Sequence, residues 1–232
     1  MDIKVRKSSA RGYADHGWLK SYHSFSFADY FDPAHMGFKS LRVINEDWIA
    51  PRAGFPTHPH RDMEIFTVLV NGSLEHRDSM GNGTVLRPGQ IQVMSAGSGI
   101  THSEFNPSED EPAHLLQIWI TPRQTGLKPS YADSQPAPSK DKQRKTLIIA
   151  RDGREGAAMI QQDADVYKIT MNAGDHSAHE VLKGRGVWIQ VISGTLHVNG
   201  LTLAAGDACS TEDPGIMELH TTAQSDALLF DL

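Results

Sequence analysis

The chain has 232 residues, 39% of them hydrophobic, with 22 basic and 28 acidic side chains and a formal net charge of −6. That length holds one large domain or two small ones, each able to bury a core. An acidic chain without a basic stripe argues against direct nucleic-acid binding and against docking on an anionic membrane.

The first residues, Met1-Asp2-Ile3-Lys4-Val5-Arg6-Lys7, carry no apolar run behind their charges, and no transmembrane run follows. A cytoplasmic protein is expected. Helical periodicity is scarce. Short apolar runs at 65–70, 91–94, 115–120 and 187–192 are bounded by Asn71-Gly72, Pro88-Gly89, Pro122 and Ser193-Gly194. Runs of this length, rich in β-branched and aromatic residues between turn formers, read as strands. Many such strands predict an all-β sandwich or barrel. From 122 to 145 the chain turns polar, with Pro129, Pro136, Pro138 and the charged stretch Lys140-Asp141-Lys142-Gln143-Arg144-Lys145. It offers little to bury and reads as a solvated connection, its basic cluster at Lys142, Arg144 and Lys145 included.

The halves on either side match. Val70-Asn71-Gly72-Ser73-Leu74-Glu75-His76 followed by Leu86-Arg87-Pro88-Gly89-Gln90 finds a counterpart in Ile192-Ser193-Gly194-Thr195-Leu196-His197-Val198 followed by Leu203-Ala204-Ala205-Gly206-Asp207. Two copies of one β unit are expected, at 1–122 and 146–232, joined by a linker at 123–145. The lone cysteine, Cys209, cannot form an intrachain disulfide and reads as a small buried residue of the second unit.

Two short motifs carry the chemistry: His58-Pro59-His60 and His102-Ser103-Glu104. On a strand, residues i and i+2 point to one face, about 6.5–7 Å apart. Two facing strands would then bring three imidazoles and one carboxylate to a point, a donor set for a divalent first-row transition metal. Glu64 keeps the parity of His60 and competes as a ligand, or accepts a hydrogen bond from a ligating histidine. Ser95-Ala96-Gly97-Ser98-Gly99 precedes a strand pattern rather than a helix, so it reads as a tight turn aiming His102 and Glu104 inward, not as a phosphate loop. His16, His23, His35, His76, His114, His197 and His220 lack a paired donor at strand spacing. His176 and His179 are spaced for a helix or turn. The second half lacks an HxH pair and is expected to bind no metal. Phe25, Phe27, Phe55, Trp48 and Trp119 read as core rather than site.

Gly54-Phe55-Pro56-Thr57-His58-Pro59-His60-Arg61-Asp62-Met63-Glu64 resembles the first motif of the cupin superfamily, and the stretch from Pro88-Gly89 to His102-Ser103-Glu104-Phe105-Asn106 resembles the second. Within it the chain is similar to the pirin family, through His16-Gly17-Trp18, Phe25-Ser26-Phe27, Asp32-Pro33, Leu41-Arg42-Val43-Ile44-Asn45 and the run from Met94 to Glu104. The resemblance implies a bicupin of two face-to-face antiparallel, jelly-roll-like β-barrels, with metal held only in the first by His58, His60, His102 and Glu104. In many other cupins the first-motif glutamate, here Glu64, is the carboxylate ligand.

Two functions follow from the resemblance. Bacterial members imply a quercetin 2,3-dioxygenase: a metal-dependent enzyme that opens the central ring of a flavonol with dioxygen and releases carbon monoxide. Glu104 is then the proton acceptor, and iron(II) the expected ion, with Ni, Cu, Co, Mn or Zn as alternatives. Mammalian members imply instead an iron-dependent, redox-sensing module that binds a protein partner. Cupin folds host many chemistries, so another enolisable substrate is a third possibility.

Overall fold

In this computed structural model the described residues are 1–136 and 144–232. The strands are β1 (Lys4–Arg6), β2 (Gly12–Asp15), β3 (Leu19–His23), β4 (Leu41–Ile49), β5 (Gly54–His60), β6 (Glu64–Asn71), β7 (Leu74–Asp78), β8 (Gly83–Leu86), β9 (Ile91–Ser95), β10 (Ile100–Phe105), β11 (Ala113–Ile120), β12 (Ser130–Ser134), β13 (Lys145–Ala150), β14 (Ala158–Met159), β15 (Asp165–Met171), β16 (His176–Val181), β17 (Val187–Ser193), β18 (Thr195–Val198), β19 (Leu201–Ala204), β20 (Ala208–Thr211), β21 (Gly215–His220) and β22 (Ser225–Asp231). Among the described residues, no helix is long and apolar enough to cross a membrane.

The chain forms two compact units. The first, residues 12–136 with 158–162, pairs a large sheet of order β12-β9-β6-β11-β4-β3-β2 with a small sheet of order β5-β10-β7-β8. The second unit repeats the plan, with orders β1-β20-β17-β22-β15-β13 and β16-β21-β18-β19. The central strands correspond one for one, β9-β6-β11-β4 with β20-β17-β22-β15 and β5-β10-β7-β8 with β16-β21-β18-β19, so the repeat read in the sequence is a duplication of topology. Each unit is a pair of sheets of the jelly-roll kind rather than a closed barrel.

Two features differ from the sequence reading. The expected connection contains β12, which pairs with β9 from Ser130↔Ser95 to Ser134↔Ile91. Polar, proline-flanked sequence hides such an edge strand, because its ladder needs only backbone groups. Residues 137–143 of that connection lie outside the described residues. The N-terminus also leaves the half that follows it: β1 pairs with β20 through Val5↔Cys209.

Asp207 fixes this N-terminal segment. Its carboxylate accepts the backbone N–H of Ser8 at 2.8 Å and faces the Lys7 ammonium at 2.9 Å. Burial alone would raise its pKa, but the Ser8 N–H and Lys7 outweigh that and hold it below the usual carboxylate range. A folded-state pKa below the unfolded value contributes stability above about pH 4, lost as pH falls through the folded value. Asp207→Ala is therefore expected to cost about 1–3 kcal/mol at pH 7. In urea unfolding the gap from wild type should narrow in acid.

The units differ in what their small sheets bury. In the first unit, β10 turns Ile100, His102 and Glu104 inward; in the second, the equivalent β21 buries Met217 and Leu219. These join Ile189, Leu196, Leu203 and Leu229 in an apolar core. The second unit thus keeps the plan with carbon in place of donors. His176 and His179 both lie on strand β16, not on a helix or turn. Their odd spacing puts His176 outside and His179 inside, where His179 Nε2 meets Asp231 at 2.9 Å.

Candidate metal centre

Antiparallel pairing of β5 with β10 sets His102 directly opposite His58. His60 follows at i+2 and keeps the same face. The three rings converge, with centroids 4.5 Å apart for His58–His102, 4.8 Å for His58–His60 and 4.9 Å for His60–His102. One nitrogen from each lies within 4.8 Å of the others.

A register shift shapes this corner. His102 faces His58 while Glu104 faces Phe55, so three residues of β5 span two of β10. The extra residue falls at Pro56-Thr57. Proline has no N–H to give a ladder and is tolerated at such a bulge. The Pro56 carbonyl instead accepts from His58 Nδ1 at 2.8 Å. Gly54 lets β5 approach: a Cβ there would lie 2.1 Å from the Glu104 carbonyl oxygen. The glycine-rich turn before β10 is tight, as expected. Gly97 has φ +47°, and a Cβ there would meet the Leu127 carbonyl at 2.1 Å.

The hydrogen bonds select tautomers. His58 donates from Nδ1 to Pro56, which leaves Nε2 as a lone pair. His102 Nδ1 lies 3.3 Å from His76 Nδ1, and His76 Nε2 lies 3.5 Å from Asp78. With His76 donating to Asp78, its Nδ1 accepts from His102, and His102 Nε2 is left bare. That atom is buried and has no hydrogen-bond partner. Burial, with His58 adding, pushes His60 down to about 4; burial, with His58, His60 and His76 adding, pushes His102 down to about 2. Both stay neutral, the form that ligates a cation. An orphaned buried imidazole nitrogen facing two further imidazoles fits a transition-metal ion.

Glu104 is placed differently. It groups with His76 and His102 rather than within the tight His58–His60–His102 set. Its two oxygens accept from the Gln117 amide at 3.3 and 3.2 Å, and Gln117 accepts from Thr67 at 2.5 Å. Burial pushes its carboxyl up to about 7, the Gln117 bond opposing. A cation among the histidines would favour the carboxylate. Glu64 is engaged elsewhere, accepting from Ser95 at 2.5 Å and from the Gln161 N–H at 3.2 Å.

A family model for pirin matches residues 4–120, and one for the quercetinase C-terminal cupin domain matches 147–232. A quercetin 2,3-dioxygenase of Escherichia coli K12 is 44% identical over 99% of this chain and 98% of its own length. The chain belongs to the pirin family. A pirin-like protein of Caulobacter vibrioides is 40% identical over 95% of each chain. The crystal structure of the bacterial pirin YhhW from Escherichia coli in complex with nickel(II) superposes with a TM-score of 0.95 at 44% identity, covering 100% of this chain and 99% of that one.

In this pirin-family chain a cavity of about 670 Å³ opens beside the histidines, walled by His58, His60 and Glu104. Phe27, Phe55 and Trp119 line it, Phe55 and Trp119 also packing against the apolar core as expected, while Phe25 is buried and Trp48 stacks on His114. Hydrophobicity does not tell a core wall from a cavity wall, since both exclude water. Three supporting residues also escape a sequence reading. His76 and Gln117 hold His102 and Glu104, and Tyr131 of β12 stacks on His76 with centroids 4.8 Å apart. Strand parity marks them as inward and pairs His76 with Asp78 at i+2, but gives none of their partners on other strands. Gln117→Leu is expected to weaken metal binding by about 10–100-fold, since it frees the Glu104 carboxylate to turn. Competition with a chromogenic chelator measures this.

Proposed function

We propose that His58, His60, His102 and Glu104 hold one divalent metal ion, and that the chain opens the central ring of a flavonol such as quercetin with dioxygen, releasing carbon monoxide. The observation that carries this reading is the convergence of three imidazoles beside a buried carboxylate, on the wall of a flavonol-sized cavity. The relatives named quercetin 2,3-dioxygenase support the substrate class. Iron(II) is the ion we assign; nickel, bound by the Escherichia coli pirin, is the alternative that elemental analysis distinguishes.

When bound, the ion supplies Lewis acidity toward the flavonol's 3-hydroxyl and a meeting point for substrate and dioxygen. The chain supplies the rest. His58 and His102 present fixed Nε2 lone pairs, so the donor geometry is set before substrate arrives. Glu104 accepts the 3-hydroxyl proton on a carboxylate oxygen, its orientation kept by Gln117. Trp119 packs edge-on against His60 at 4.8 Å and Phe27 packs on Trp119 at 5.4 Å, an apolar wall that excludes water from a reactive enolate.

We assign the metal to the first unit, residues 12–136 with 158–162, and read the second unit as ligand-free. A cytoplasmic location fits the buried free thiol of Cys209, which burial pushes up to about 12. The test is incubation of iron-, nickel- or copper-loaded protein with quercetin. Oxygen-dependent substrate loss with matching carbon monoxide release is expected; no loss with any of the three overturns the reading.

A further inference from the structure

The metal does not account for every unmet group in this cavity. On β4, Asn45, Asp47 and Ile49 share one face and line the cavity, as do Ser21 and His23 on neighbouring β3. Asn45 and His23 satisfy each other at 2.8 Å. Asp47 is different. It is 3% exposed, yet its Oδ1 is buried with no hydrogen-bond partner. Among the described residues it is the one carboxylate with such an orphaned oxygen. A buried carboxylate oxygen without a donor costs free energy that an apolar residue at the same place would not. Stability alone would not keep it there.

We infer that Asp47 Oδ1 accepts a phenolic hydroxyl of the substrate, so that Asp47 is a specificity-determining residue selecting ring-hydroxylated flavonols over bare ones. This rests on the flavonol reading above. The chemistry matches in kind: an unpaired acceptor on a cavity wall calls for a donor, and a flavonol carries phenolic O–H groups beyond the pair that meets the metal. The metal end recognises what all flavonols share; Asp47 reads the decoration. Burial, with Ser21 opposing, pushes its carboxyl up to about 7, and a donor arriving from the ligand favours the anion. A hydrogen bond from ligand to charged acceptor is worth about ten- to hundredfold in affinity.

The test is anaerobic titration of nickel-loaded protein, without turnover, with two probes: quercetin, and 3-hydroxyflavone, which keeps the chelating pair but has no other hydroxyl. Wild type should bind quercetin at least about tenfold more tightly. Asp47→Leu should bring the ratio near one, chiefly by weakening quercetin, and Asp47→Asn, which keeps a carbonyl oxygen, should retain an intermediate ratio. Because the orphaned charge is gone, the melting temperature of Asp47→Leu should match or exceed wild type. A ratio near one in wild type, or a ratio unchanged in both variants, overturns the assignment even where quercetin is turned over. A lowered melting temperature with an unchanged ratio in Asp47→Asn marks a structural role and overturns it too. Hydroxyl-selective binding without ring cleavage sinks the reaction and keeps the Asp47 assignment. No binding of either flavonol to wild type overturns both.

Discussion

His102→Ala should strip the metal from the protein. The side chain sits between His58 and His60 on one side and His76 on the other, and its buried Nε2 has no other partner. Losing it removes one of three imidazole donors and leaves His76 Nδ1 without its partner. Outer supports of a metal site typically contribute about 10–100-fold in affinity, so loss of this ligand should exceed about 100-fold. Elemental analysis after purification without added metal should find well under one ion per chain, against about one in wild type. Circular dichroism should keep the strand spectrum, because the apolar cores of both units are untouched. His16→Ala, on the cavity wall but outside the histidine group, should retain full stoichiometry. Equal metal content in His102→Ala and wild type would refute the ligand assignment.

The second large effect concerns Glu104. Glu104→Gln keeps the shape and can still meet Gln117, but it removes the proton acceptor and one anionic donor. Turnover of quercetin, followed as oxygen uptake and carbon monoxide release, should fall by about 10²–10⁴-fold. Metal content should fall less than in His102→Ala, because the three imidazoles remain. A variant with full turnover would remove Glu104 from the chemistry, and a variant that loses metal as completely as His102→Ala would make its role one of ligation alone. The Gln117→Leu variant separates orientation from charge: it should reduce metal affinity with the carboxylate still present.

Much of the site was legible because a strand has a period of two. His58 and His60, and His102 and Glu104, had to share faces wherever their strands went. The duplicated turns at Gly72 and Gly194 announced the repeated unit, and the absence of an HxH pair marked the second copy as lacking donors. The family resemblance added the pairing of the two motifs across one sheet. What the residues could not reveal depends on partners distant along the chain. Glu64 has the right parity but is turned onto Ser95 and Gln161. His76 looked solitary in the sequence and becomes the support of His102 only once β7 lies beside β10. Strand β12 hides in polar sequence because an edge ladder asks little of its side chains.

The sequence by itself determined the all-β class, the two repeats and the four candidate donors. Each is a local property of composition, spacing or turn chemistry. Only the tertiary structure decided which aromatics wall the cavity, which tautomers the histidines take and that Asp47 keeps an unmet oxygen. Cavities and hydrogen-bond partners are made by residues brought together from separate strands, here β3, β4, β5, β10 and β11. Spacing along a chain states the face a side chain takes; only packing states what stands opposite it.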